Sequence, residues 1–319
     1  MDNIIIDGFS FAMPLFIMAI GGIFCEKSGV TMLAIEGLQG FGAFTGSIAA
    51  VLLATSRGQG HPSVIYIAMA AAMVGGLLFS FIHSILCIKF RAQQVISGIL
   101  LNILAIALTT FFTSVINLAI IGQASNKFQI GVSTRFTVPV ISDIPLIGAI
   151  FKNMYPFEVV IIAISIIAWY LLYKTPFGLR LRSCGDNPAS LDSAGGDVAK
   201  TRYIAVMICG ALSGLGGIFL AFSTSASFSP ANYMGYGYLS IAALIFGNWK
   251  IIPTLGACIF FGLSKSAVYQ LCIGLGFSSN YSDLLMILPY VLTLILLMFF
   301  SRHNHPPRAL GEFFDKEKR

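Results

Sequence analysis

The sequence predicts an all-α protein that crosses a membrane many times. Three observations predict it. Of 319 residues, 57% are hydrophobic and 10% are charged, whereas a soluble domain carries about 25% charged residues. The mean hydropathy is +0.87. The apolar residues are gathered into long runs parted by polar stretches, and a run of about 20 residues is long enough to span a bilayer as a helix. The plan expected is one transmembrane domain over 1–301 and a polar tail over 302–319. The net charge of +6 is not a nucleic-acid signal, because the basic residues stand at helix ends and in the tail rather than in one patch. Cys25, Cys87, Cys184, Cys209, Cys258 and Cys272 form no CxxC pair and read as small packing residues. The opening residues, MDNIIIDGFS, carry two acids and no base, unlike the basic start of a cleaved signal peptide.

The first segment runs from Gly8 to Cys25, with Pro14 as an expected kink. After the turn at Glu26–Gly29, the second runs from Val30 to Thr55 and carries Glu36, Gln39, Gly37, Gly40, Gly42 and Gly46. Gly42 and Gly46 form a GxxxG pair that lets helix backbones approach. So many glycines beside a carboxylate also suggest a partly unwound helix. The third segment covers Pro62 to Ile88, and the fourth Val95 to Ile121, with Asn102 and Asn117. Gly122 to Pro156 is rich in proline and reads as an external loop. The fifth segment covers Phe157 to Tyr173, and the sixth runs from Tyr203 to Phe222 with a second GxxxG pair, Gly210 and Gly214. The twelve-residue piece YLSIAALIFGNW is too short to span upright and reads as a half-helix or re-entrant piece. Two more segments follow, Ile251 to Leu271 and Leu284 to Phe300. About 8–10 transmembrane segments, some discontinuous, are therefore expected.

Basic residues orient the chain. With the N-terminus outside and nine alternating segments, fourteen Lys and Arg fall inside and four outside, with Lys265 inside a segment. The positive-inside rule favours this arrangement and a cytoplasmic C-terminus. It also places the polar stretch over 174–202 in the cytoplasm. Its middle reads as a short helix: Asn187 can cap it, Pro188 fits its first position, and Gly195-Gly196 ends it. Leu191, Ala194 and Val198 give it a small apolar face. Such a helix is either a docking element or part of an ordinary solvated loop. GGIF occurs at Gly21–Phe24 and again at Gly216–Phe219, each time followed by an irregular stretch and an apolar piece. The order of elements suggests an inverted internal repeat, a plan common among transporters.

The chain holds no GxxxxGK[ST] phosphate loop, and its four histidines show no metal spacing. No metal or catalytic residue is expected. Intramembrane charges usually face a bundle interior or a water-filled path. Glu36 therefore either lines a transport path or caps a broken helix, and Lys265 either lines the path or snorkels. Asn102 and Asn117 either bond a polar solute or tie helices together. Phe41, Phe44, Phe228, Tyr233, Tyr236 and Tyr238 either face a flat solute or pack the core and interface.

Several stretches carry a family resemblance. EKSGVTMLAIEGLQGFGAF from Glu26, QVISGILLN from Gln94, LRSCGDNPASLDSAGGDVAKTRYIAVMICGALSGLGG and GYGYLSIAALIFGNWKIIPTLGACIFFGLSKS resemble, in order, the signatures of membrane permeases of ATP-binding-cassette importers for nucleosides and simple sugars. The nucleoside-type branch is more similar than the ribose permeases. The sequence departs from the pattern at Lys265 and at Leu38-Gln39, which puts the exact solute in doubt. The resemblance implies a multi-pass cell-membrane protein that performs no covalent chemistry and binds no cofactor. ATP would be used by partner ATPase subunits. A second permease subunit, related or identical, and an extracytoplasmic binding protein or lipoprotein would complete the assembly in the bilayer. It also implies that the stretch with Asp186, Asn187, Pro188, Leu191, Ala194, Gly195 and Val198 is the helix that couples to the ATPase, its apolar face packing outward on that subunit. Glu36, Gln39, Phe41, Asn102 and Tyr236 are the substrate-path candidates. A free sugar such as ribose is the alternative solute. An ion-coupled secondary transporter would fit the repeat but needs more buried carboxylates, and a membrane enzyme would need a His/Asp/Glu cluster that the sequence lacks.

Overall fold

The computed structural model describes residues 2–57, 61–131, 136–137, 154–274, 304–315 and the single positions 287, 291, 295 and 298. Helices dominate it: α1 (Asp2–Glu26), α2 (Ile35–Arg57), α3 (Pro62–Ser84, continued by a π-turn over Ile85–Lys89), α4 (Gln94–Ile121), α5 (Pro156–Lys174), α6 (Pro176–Asp186), α7 (Pro188–Ser193), α8 (Val198–Leu220, continued by a π-turn over Ala221–Ser225), α9 (Tyr236–Phe246) and α10 (Ile251–Gly274). Among the described residues, α1 to α5, α8 and α10 are the seven helices long and apolar enough to cross a membrane. The chain is an all-α, multi-pass membrane protein. The expected external loop lies mostly outside the described residues, as does the expected last segment from Leu284 to Phe300. The loop's described part adds one strand, β1 (Phe128–Gln129), which pairs antiparallel with β2 (Ser227–Phe228).

α8 is the central post. It packs along α1, α2 and α3, and sixteen of its residues are buried. The two GxxxG pairs meet each other here: a Cβ on Gly42 would strike Gly214, and one on Gly214 would strike the Ala72 carbonyl of α3. Three backbones can converge only because these positions carry no side chain. α10 packs on the other side of α1. The outward faces of α3, α4 and α5 stay apolar, with Leu78, Leu100, Ile103, Phe111, Ile166 and Ile167 exposed. In water such a surface would drive association, but in a bilayer it faces lipid tails.

α9 matches the expected short apolar piece. At 11 residues it is about 16 Å long, roughly half a hydrocarbon core. Each GGIF stands near the far end of a long helix, α1 or α8, and each is followed by an irregular stretch and a new helix, α2 or α9. The two new helices start against each other.

Candidate functional site

The start of α2 is a dense polar junction. Asn102 on α4 accepts the Gly37 N–H at 2.8 Å and donates to the Leu33 carbonyl at 2.9 Å and the Tyr238 hydroxyl at 3.0 Å. Glu36, 3% exposed, accepts the Gly237 N–H at 2.9 Å through one carboxylate oxygen and the Gly235 N–H through the other. Those are orphan donors at the start of α9, so the carboxylate caps that helix and complements its dipole. Gln39 donates to the Tyr233 carbonyl at 2.6 Å, and its own oxygen has no partner among the described residues. Burial raises the Tyr233 hydroxyl to about 12. Of the two readings open for Glu36 and Asn102, the geometry carries the tying one. Asn117 likewise ties α4 to the chain beyond it through the Ser125 and Lys127 carbonyls, at 2.6 and 2.9 Å.

The aromatic candidates divide. Phe41 stacks on Phe79 with ring centroids 4.5 Å apart. Phe44, Phe128, Phe228 and Tyr233 form one buried cluster with centroid separations of 6.0 to 6.3 Å. These rings pack the core. Tyr236 turns away from the junction, and its hydroxyl meets Lys265 Nζ at the edge of a separate cavity. Lys265 does not snorkel: its ammonium lies 3.9 Å from the Tyr236 ring centroid and 4.9 Å from that of Phe11. The five path candidates therefore fall in three places.

The basic stretch over 174–202 folds into two helices rather than one. α6, not foreseen, is capped by Thr175, whose hydroxyl accepts the Gly178 N–H at 3.3 Å. α7 is the expected short helix: Asn187 Oδ1 accepts the Ser190 N–H at 3.2 Å, Pro188 is its first residue, and Gly195 follows it with φ +80. One expectation is corrected. Leu191 and Val198 do not present an outward apolar face: Leu191 is 5% exposed and packs with Cys184 and Val198, with Phe314 against them. Burial holds the Cys184 thiol above its usual range. The surface that α7 and its flanks offer outward is small and polar, with Asp186, Asn187, Ser190, Ser193, Ala194 and Gly195 exposed.

The tail joins this platform, which no sequence pattern signalled. Ala309 N–H donates to the Gly185 carbonyl at 2.8 Å, Gly311 N–H to Gly29 at 2.9 Å, and His305 N–H to Asn248 Oδ1 at 2.8 Å. Arg202, 5% exposed, donates to the Ser28 carbonyl at 3.2 Å and the Glu312 carbonyl at 2.9 Å. Lys27 is half-buried here, and that burial lowers its pKa although Asp186 opposes the shift. The tail thus straps the end of α6 to the α1–α2 and α9–α10 turns. All six cysteines are free and buried, as packing residues should be. Among the described residues no group of His, Cys, Asp or Glu could hold a metal.

A guanosine ABC transporter permease protein of Bacillus subtilis is 37% identical over 310 residues, 97% of this chain and 95% of that protein. A nucleoside ABC transporter permease protein of Lactococcus lactis is 35% identical over 309 residues, 97% of this chain and 95% of that protein. The ribose import permease protein of Escherichia coli is 25% identical over 265 residues, 80% of this chain and 73% of that protein. No solved structure is significantly similar to the chain. The family model described as the branched-chain amino acid transport system permease component matches residues 4–297, and with that match spanning the whole helical bundle, the chain belongs to this family of ABC transporter permeases.

Proposed function

We propose that this chain is a membrane subunit of an ATP-driven importer that carries nucleosides across the cell membrane. The observation that carries the reading is the near full-length likeness to permeases named for guanosine and nucleosides, which exceeds the likeness to the ribose permease. The chain is not itself an ATPase, and ATP would be hydrolysed by partner subunits below it. A second permease subunit, related or identical, and an extracytoplasmic binding protein would complete the complex. The excess of basic residues on the face with α6, α7 and the tail supports a cytoplasmic C-terminus and an external N-terminus.

The coupling helix is α7. Its small outward residues, Ser190, Ser193 and Ala194, would seat in the ATPase, while Leu191 anchors it to its own bundle. Movement of the ATPases would then be carried into the helices as a rigid-body shift, giving alternating access. The test is uptake of labelled nucleosides and ribose by vesicles carrying the complete complex. ATP-dependent uptake competed by purine and pyrimidine nucleosides but not by ribose is expected. Uptake of ribose alone would overturn the solute. Uptake that ignores ATP and collapses with the ion gradient would overturn the importer.

A further inference from the structure

At the junction, Glu36 and Asn102 are bonded to the protein's own groups, and among the described residues only the buried Gln39 oxygen is left there without a partner, too little to hold a polar solute. A cavity of about 430 Å³ opens between α1, the π-turn after α8, α9 and α10, lined by Asp7, Phe11, Ser223, Tyr236, Lys265 and Tyr269, with Thr224 at its rim. Its size is in the range of small-ligand sites. It lies within the span of the helices. Tyr236 opens the 11-residue α9, about 16 Å above the turn at Lys250, and Lys265 lies about 21 Å along α10 from Ile251.

Three features set this cavity apart. Lys265 is a half-buried cation with no carboxylate within ion-pairing distance among the described residues. An ammonium within the membrane is costly, and here it faces open volume instead of a counter-ion. Ser223 Oγ is buried without a partner among the described residues. Phe11, Tyr236 and Tyr269 supply aromatic surface on the same walls. Asp7 adds an acceptor and already receives Gln270 Nε2 at 3.2 Å.

We infer that this cavity, built around Lys265, Tyr236, Phe11 and Tyr269, binds the transported solute as a neutral nucleoside. The inference rests on the importer reading above. The aromatic walls take the flat base. Lys265, with three donor hydrogens, serves acceptors on the base edge, and Asp7 and Ser223 suit ribose hydroxyls. One cation and one carboxylate share the cavity, so a neutral polar molecule matches it better than a nucleotide, whose phosphate would meet Asp7. A free pentose would leave the aromatic walls without a partner.

Two variants test this in the complete complex. Lys265→Met keeps the aliphatic stem and removes the donors. It is expected to raise the KM for nucleosides about tenfold, the size of a lost charged hydrogen bond, with assembly intact. Thr224→Cys places a thiol on the exposed side of the cavity without removing any of the groups assigned to the solute, against a background of buried cysteines. Saturating adenosine or guanosine is expected to slow its labelling by a methanethiosulfonate reagent at least fivefold, and ribose is not. The labelling decides the matter if Lys265→Met fails to assemble. Nucleoside uptake by the wild type with no protection of the Thr224→Cys variant would overturn the site and leave the importer standing. A wild type that takes up no nucleoside would overturn both.

Discussion

Glu36 sits where a charge inside a membrane protein is expected to have a task, and its two oxygens are both occupied by backbone donors at the start of α9. A Gln at this position keeps the shape but offers one acceptor oxygen and no charge. One N–H then faces an amide donor, and the helix dipole loses its complement. Losing one charged hydrogen bond costs about 1.5–3 kcal/mol. Glu36→Gln is therefore expected to lower the melting temperature of the purified complex and to reduce uptake in proportion to the protein lost. An unchanged melting temperature with abolished uptake would instead return Glu36 to the transport path. The sequence could show that Glu36 was unusual, but not which of two tasks it had. A carboxylate beside a path and one at a helix start look alike until the second helix, 199 residues further on, is in place.

At the scale of elements, α7 was legible because its signals are local. Asn187, Pro188 and Gly195 act within one turn of their own backbone, and each stands where it was expected. α6 was not legible, because Gly178 and Gly185 weaken helix propensity and the contacts that favour it come from other parts of the chain. A side chain on Gly185 would strike the Lys27 carbonyl, so the residue reflects close packing against the α1–α2 turn and not a loop. The tail's docking was hidden for a similar reason. Its bonds to Gly29 and Gly185 join backbone to backbone and leave no side-chain pattern, and the side chains that also hold it, Arg91, Arg202 and Asn248, stand far from it in the chain. The direction of Leu191 was misjudged because a helix of six residues has too few positions to show which face is inward. That direction can be measured through Cys184 beneath it, whose burial slows thiolate formation. Leu191→Ala empties a small cluster and should cost about 2 kcal/mol of local order. Alkylation of Cys184, followed by mass of its peptide, is then expected to speed up on the order of 30-fold. An unchanged rate would show that Leu191 does not anchor α7.

For the whole molecule, the question is how a platform on the basic face can reach a cavity deep in the bundle. α9 spans that distance as one short rod. Its inner end, Tyr236, forms a wall of the cavity, and its start is held by Glu36. Its outer end runs into a turn where Asn248 and Trp249 both adopt left-handed backbone, with φ of 50° and 54°. Such conformations cost about 1–3 kcal/mol each and persist only where surroundings impose them. Here the surroundings are the platform: Trp249 Nε1 donates to Glu26 at 2.5 Å, and Asn248 accepts from His305 of the tail at 2.8 Å. On the coupling proposed for α7, a shift of the platform would load or release a strained turn that ends directly in the helix lining the cavity. Trp249→Phe keeps an aromatic ring in the turn and removes the N–H that Glu26 accepts. In the assembled complex, basal ATP hydrolysis is expected to stay near wild type, because the variant leaves the outward face of α7 untouched. Stimulation of hydrolysis by solute and binding protein should fall several-fold, and uptake with it, since the link between turn and cavity is loosened. Equal loss of basal and stimulated hydrolysis would mean that Trp249 merely supports assembly, and the rod would then be no part of the coupling.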